Sequence, residues 1–253
     1  MSLSSNEELL GMQKASAAVA TTLKLMRAHA RPGMSTLELD LYGGQILEQW
    51  GARSAPKLTY GFPGWTCISV NNEVCHGIPS GKTILKKGDL VNIDVSAELD
   101  GYWSDNGGSF VLGNDIHQHT ALVEASKQIL AKAISRIKGG VKLADIGRFI
   151  ELEAKRSGYK VIRNLAGHGI GRSLHEAPHE ILCYYDRTNT TRFKKNSVVA
   201  IETFISTKAN YAHEKGDGWT LIAKEGVAVQ HEHTIVVTDG KPIILTAANE
   251  IWD

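Results

Sequence analysis

The chain has 253 residues, 42% hydrophobic and 22% charged, which suffices for a sizeable core in one or two domains. Lys and Arg total 28 against 27 Asp and Glu, a formal net charge of +1. That balance argues against a dedicated nucleic-acid binder and against a disordered polyanion. No apolar run approaches the ~18 residues of a membrane span. The amino end, Met1 to Leu10, is rich in Ser, Asn and Glu without a basic segment, so no secretory signal is expected. Cys67, Cys75 and Cys183 are odd in number and form no CxxC pair. They read as reduced core thiols of a cytoplasmic protein, not as a disulfide framework or structural zinc site.

Asn6 to about His29 is helix-friendly, with Leu9, Met12, Val19, Leu23 and Met26 at helical spacing and Ser5 as N-cap. Arg31-Pro32-Gly33 ends it. Ser35-Thr36-Leu37-Glu38 reads as a capping box opening a second helix that runs to Gly51. Later the order recurs: His117 to Lys138 is helix-friendly, Gly139-Gly140 breaks it, and Lys142 to Gly158 is again helical. Gly33 to Gly51 and Gly140 to Gly158 both span 18 positions.

The strands repeat too. Lys86 to Asp94 (KKGDLVNID) stands beside Lys194 to Glu202 (KKNSVVAIE), offset by 108, against 107 for the helices. Each half also carries a His-Gly-Ile, at His76-Gly77-Ile78 and His168-Gly169-Ile170. Self-similarity of this kind predicts two α/β halves related by a pseudo-twofold, at about 31–110 and 138–238. With no linker-like stretch between them, they are expected to share one sheet in a single domain over 1–253.

Val91 to Val95 is a strand pattern with Asp94 in its middle, and Asp100-Gly101 is a hairpin turn signal. The turn sets Asp105 opposite about residue 96, on the face of Asp94, because strand side chains alternate. In the second half, Val198 to Glu202 and Gly226 to Val237 are strands, the latter centred on Glu232. Pseudo-symmetry pairs Glu202 with Asp94 and Glu232 with Asp105. A single strand carboxylate reads as a residue on a wet sheet face. Four on apolar strands repel one another, a penalty that divalent cations remove. Such a set with one imidazole suits two divalent ions.

Ten histidines compete for the imidazole role. His29, His117, His119 and His179 fall in predicted helices or loops, and His213 in a polar loop. His231 and His233 flank Glu232 and are expected on the opposite face of its strand. His76, His168 and His175 lie in Gly-rich turns, and His168 in Gly167-His168-Gly169-Ile170-Gly171 is the first choice for a ligand.

The set Cys75-His76-Gly77-Ile78-Pro79, Asn92-Ile93-Asp94-Val95, Asp105, Gly167-His168-Gly169-Ile170-Gly171, His175-Glu176, Ile201-Glu202 and Glu232-His233-Thr234 resembles methionine aminopeptidase, type I, in its compact bacterial form. The resemblance runs over nearly the whole chain. It implies the pita-bread fold, with helices outside a shared antiparallel sheet, and a dinuclear metal site. In that pattern Asp94 chelates one metal, Asp105 and Glu232 bridge, and His168 and Glu202 hold the other. It further implies removal of an N-terminal methionine before a small residue, by a metal-bridging water attacking the first peptide carbonyl. Glu202 would shuttle the proton, His175 would stabilise the oxyanion, and His76 would bond the scissile or following peptide. Phe62, Cys67 and Trp219 are candidates for the methionine pocket, with ordinary core packing as the competing reading. Cobalt, manganese, iron or zinc all fit the ligands. The expected partners are N-termini of nascent chains, encountered at the ribosome, with no membrane and no specific nucleic acid; a monomer is expected.

The chain departs from the family pattern at Thr203 (usually Pro), Asn106-Gly107-Gly108 (usually Thr or Ala, then Ser), and His231 (usually aromatic). Thr59 and Leu174 fall near pocket positions often held by aromatics. The resemblance extends to prolidase, aminopeptidase P and creatinase, the alternative enzyme reading, though the prolidase and aminopeptidase P patterns carry a further amino-terminal domain. A catalytically dead pita-bread module that binds peptides or RNA is the rival of another class, and such proteins lose ligands.

Overall fold

A computed structural model describes residues 1–250. Helix α1 (Asn6–His29) starts where the Ser5 hydroxyl accepts the Glu8 N–H. Helix α2 (Thr36–Trp50) opens on the reciprocal Ser35–Glu38 capping box and closes on Gly51, which takes a left-handed φ of 72°. Strand β1 (Arg53–Ser54), the short helix α3 (Ala55–Tyr60), β2 (Cys67–Val70) and β3 (Glu73–Cys75) lead to the hairpin of β4 (Leu90–Leu99) and β5 (Tyr102–Val111). Asp100 and Gly101 turn it with φ of 54° and 83°, the positive pair that a tight two-residue hairpin needs. The second half gives α4 (Thr120–Ile134), α5 (Leu143–Arg156), β6 (Lys160–Val161), β7 (Ala166–Gly169), β8 (Glu176–Leu182), β9 (Val198–Ser206), β10 (His213–Glu214), β11 (Leu221–Ile222), β12 (Ala228–Val236) and β13 (Ile243–Ile244).

One sheet of ten strands runs through both halves in the order β1-β4-β5-β12-β9-β7-β8, with β2 also on β4, β6 on β9 and β13 on β12. The two halves meet where β5 adjoins β12. Helices α1 and α4 cover one face: Ser16 of α1 meets Ser104, and Ser126 of α4 meets His231 and Thr203. Alternation then sends Asp94, Asp105, Glu202, Gln230 and Glu232 to the other face. The family-type fold expected from the sequence is the one observed. Among the described residues, no helix is long and apolar enough to cross a membrane.

Three expectations are corrected. The third long helix begins at Thr120, not His117, because Gln118 is left-handed and the Asp115 carboxylate accepts the His119 and Thr120 N–H groups. It ends at Ile134, short of Lys138. His179 lies within β8, and His213 in the short strand β10, neither in a loop or helix. Register also changes one pairing: Asp94 opposes Gly107 and Ser96 opposes Asp105, whereas Glu202 opposes Glu232 directly. Gln230, opposite Phe204, is thus the register counterpart of Asp105, and Glu232 that of Gly107.

Candidate metal centre

The carboxylates lie on the two central hairpin-like pairs, so their positions are fixed by ladder hydrogen bonds. Ten sequence-selected residues line one cavity of about 330 Å³: Asp94, Asp105, His168, Glu202 and Glu232, with His76, His175, Phe62, Cys67 and Trp219. Each approach is pinned locally. Buried Asp40 of α2 accepts the N–H groups of Trp65 and Thr66 at 3.0 and 2.8 Å, fixing the entry to β2 and Cys67. Gly77 presses against β2, where a Cβ would meet the Ile68 carbonyl at 2.2 Å. Its neighbour His76 is held at φ 55°, an unusual conformation for a side chain this size. Beyond β7, the Glu176 carboxylate accepts the Arg172 and Ser173 N–H groups, and the Ser173 hydroxyl donates to the His175 carbonyl.

The electrostatics are those of an acid cluster removed from water. Burial raises the Asp94 carboxyl to about 6, and raises Asp105, Glu202 and Glu232 well above the carboxylate range. The neighbouring acids add to the shift of the last three. His168 is pushed down to about 3, chiefly by burial and then by His175. Its Nδ1–H donates to the Gly169 carbonyl at 3.1 Å, which leaves the Nε2 lone pair facing Asp105 Oδ2 at 3.7 Å.

A metal fits these donors. Asp105, His168 and Glu232 each offer a ligand atom, all within 4.8 Å of one another. Asp105 Oδ1 and Glu232 Oε1 are fully buried with no hydrogen-bond partner among the described residues, an arrangement that costs free energy unless a cation or proton meets them.

Two residues that sequence reading passed over sit in this site. The Gln230 amide nitrogen lies 3.2 Å from Glu202, 3.0 Å from Glu232 and 3.5 Å from Asp94, while Asn92 donates to its Oε1 at 2.9 Å. Alternation from Glu232 was the available signal. Gly107 is explained at the same time, because a Cβ there would meet Gln230 Oε1 at 2.2 Å. The second residue is Tyr60, whose hydroxyl lies 2.6 Å from His175 Nδ1. Its signal was Ser54-Ala55-Pro56, an N-cap followed by Pro, with Gly61 to end the helix.

The departures from the family pattern separate into two groups. Thr203, Asn106 and His231 face the helices. His231 Nε2–H donates to the Ser109 carbonyl, so its Nδ1 accepts from Ser126 at 2.9 Å, and Thr203 in turn donates to Ser126. Thr203 and His231 thus share one hydroxyl and do not line the cavity. Leu174 is buried and lines it, whereas Thr59 is exposed on α3 and does not; the adjacent Tyr60 lines it instead.

The model of "Metallopeptidase family M24" matches residues 11–239. The chain is 49% identical over 247 residues to methionine aminopeptidase 2 of Bacillus subtilis strain 168, covering 97% of this chain and 99% of that one. It is 39% identical over 252 residues to a methionine aminopeptidase of Staphylococcus epidermidis, covering 99% and 100%. The crystal structure of the Thermotoga maritima methionine aminopeptidase superposes with a TM-score of 0.92 at 33% identity, covering 97% and 99%. The prolidase of Pyrococcus furiosus, at 21% identity and a TM-score of 0.76, shares the fold; this chain covers 65% of it. Matched along nearly its whole length by both sequence and structure, the chain belongs to metallopeptidase family M24 and, within it, to the methionine aminopeptidases.

Proposed function

We propose that the chain removes the N-terminal methionine from peptides and nascent proteins whose second residue is small, as a type I enzyme made of one catalytic domain with a dinuclear metal centre. The observation that carries this reading is the meeting, in one cavity, of a buried acid cluster holding unpartnered Asp105 and Glu232 oxygens with an apolar wall of Phe62 and Trp219. Those two rings meet edge to face, 5.2 Å between centroids. An acid cluster suits a cation, and the wall suits an unbranched apolar side chain.

Asp94, Asp105, His168, Glu202 and Glu232 would hold the metal. When bound, divalent ions supply Lewis acidity and a water acidified to near neutrality. The chain's own residues do the rest. Glu202 accepts a proton from the attacking water and passes it to the leaving amine. His175 donates to the carbonyl oxygen as charge develops there. His76 bonds the scissile or following amide. Phe62, Cys67 and Trp219 enclose the methionine side chain and exclude water from it.

The test is release of methionine from Met-Ala-Ser, against release of alanine from Ala-Pro peptides, after loading with manganese, cobalt, iron or zinc in turn. Cleavage of Met-Ala-Ser alone supports the reading. Cleavage of Ala-Pro alone, or of neither peptide with any metal, overturns it.

A further inference from the structure

Among the described residues, two groups hold the His175 ring. On one side is His168, 4.1 Å between ring centroids at 52°. On the other is Tyr60, which reaches across from α3, 115 residues away in sequence, to put its hydroxyl 2.6 Å from His175 Nδ1. The loop around His175 is tied down through its backbone, as Glu176 and Ser173 show, but those bonds leave the imidazole free to rotate and to choose its tautomer. Tyr60 itself is well supported. It is the last residue of α3, which starts on the Ser54 cap and stops at left-handed Gly61.

The two ring nitrogens of a neutral imidazole do different work: one donates and the other accepts. If Tyr60 donates its hydrogen to Nδ1, the ring's own hydrogen sits on Nε2, which has no protein hydrogen-bond partner among the described residues and is available to the cavity. If instead Nδ1–H donates to the Tyr60 oxygen, Nε2 carries a lone pair and faces a carbonyl oxygen with nothing to give. The geometry points to Tyr60 as a positioning residue that donates to His175 Nδ1 and so fixes the Nε2–H tautomer, the form able to donate to the substrate carbonyl. This rests on the oxyanion role given to His175 above.

Tyr60→Phe removes the hydroxyl and keeps the ring. With the zinc-loaded enzyme, kcat on Met-Ala-Ser should fall about tenfold or more while KM stays within about twofold, as for a group felt only in the transition state. Metal content and melting temperature should not change. Nitrogen-15 spectra of labelled histidine should show the His175 signals moving from the Nε2–H tautomer toward a mixture, which loss of a merely structural contact would not produce. In a His175→Ala background, Tyr60→Phe should cost nothing further. Unchanged kcat and unchanged tautomer in Tyr60→Phe overturn the inference, as does a further loss on top of His175→Ala. Wild-type kcat in His175→Ala alone overturns the His175 role instead, which separates the two failures.

Discussion

Glu202 and Glu232 stand directly opposite one another across the β9–β12 ladder, and one amide nitrogen, that of Gln230, lies within 3.2 Å of both. Like charges placed opposite on a sheet destabilise it. Here the pair is tolerated because burial raises both carboxyl groups and because Gln230, oriented by Asn92, offers a donor to each. The same donor meets Glu202 Oε2 and Glu232 Oε2 and leaves Glu232 Oε1 without a hydrogen-bond partner among the described residues.

Gln230→Met keeps the volume and removes the donor. Manganese affinity measured by calorimetry should fall on the order of 10- to 100-fold, as expected for loss of a group that orients ligands. Affinity equal to wild type would show that the ladder alone aims Glu202 and Glu232.

Full loading should reach two divalent ions per chain by elemental analysis after incubation with excess manganese or cobalt. Each site, at a free metal concentration about 100 times its Kd, should add about 2.7 kcal/mol of stability. His168→Ala should lose the second equivalent at low metal and recover part of its activity at high metal, whereas His175→Ala should keep both ions. Trace metal only, under excess, contradicts a dinuclear centre.

The four carboxylates could be read before the fold was known, and the reason is periodicity; the roles of His76 and His175 and the pocket candidates Phe62, Cys67 and Trp219 came from the family resemblance. Asp94, Asp105, Glu202 and Glu232 break apolar strand patterns, and a two-residue turn at Asp100-Gly101 fixes which face Asp105 takes. The residues that escaped are those whose placement depends on pairing across distant segments. Tyr60 acquires its meaning from His175, which no local pattern brings near. The pairing of Glu202 with Glu232 depends on how the excursion between β9 and β12 closes: pseudo-symmetry matched Glu232 to Asp105, whereas the register matches Gln230 to Asp105, two residues away. Thr203 and His231 looked like two departures; Ser126 of α4 makes them one buried network.

The Asp94 carboxyl, raised to about 6 by burial, gives a pH dependence with a definite sign. A carboxyl whose folded pKa exceeds its unfolded value of 3.8 favours the fold below that value and loses this contribution as pH rises through 6. In metal-free protein, Asp94→Asn should therefore match wild type near pH 4 and become the more stable of the two as pH rises past 6. Metal should reverse the order, because the charged form is then the one that is used. Melting temperatures of both proteins across pH, with and without chelator, check it. Comparing variant with wild type cancels the opposing contribution of His168, His231 and His233, all pushed down to about 3 by burial. A metal-free variant no more stable than wild type at pH 7.5 would mean that Asp94 is not held in a desolvated site.

The apolar wall is best tested at Trp219. Phe62 is only 3% exposed, so its truncation would open a core cavity and cost about 3 to 5 kcal/mol of stability whatever its role in binding. Trp219 is half-buried, and its loop is held independently: the Asp217 carboxylate accepts the N–H groups of Trp219 and Thr220 and the Thr220 hydroxyl. Trp219→Ala should then leave the fold and both metal ions in place while removing one side of the edge-to-face pair. For a methionine side chain packed there, the loss should be about 1 to 3 kcal/mol of discrimination, or roughly 5- to 150-fold in kcat/KM on Met-Ala-Ser. A peptide beginning with Ala makes no use of the wall, so its slow cleavage should be nearly unaffected, and the ratio of the two rates should collapse. If both substrates lose equally, Trp219 supports the site as a whole and the methionine side chain lies elsewhere; if neither loses, the wall is ordinary core.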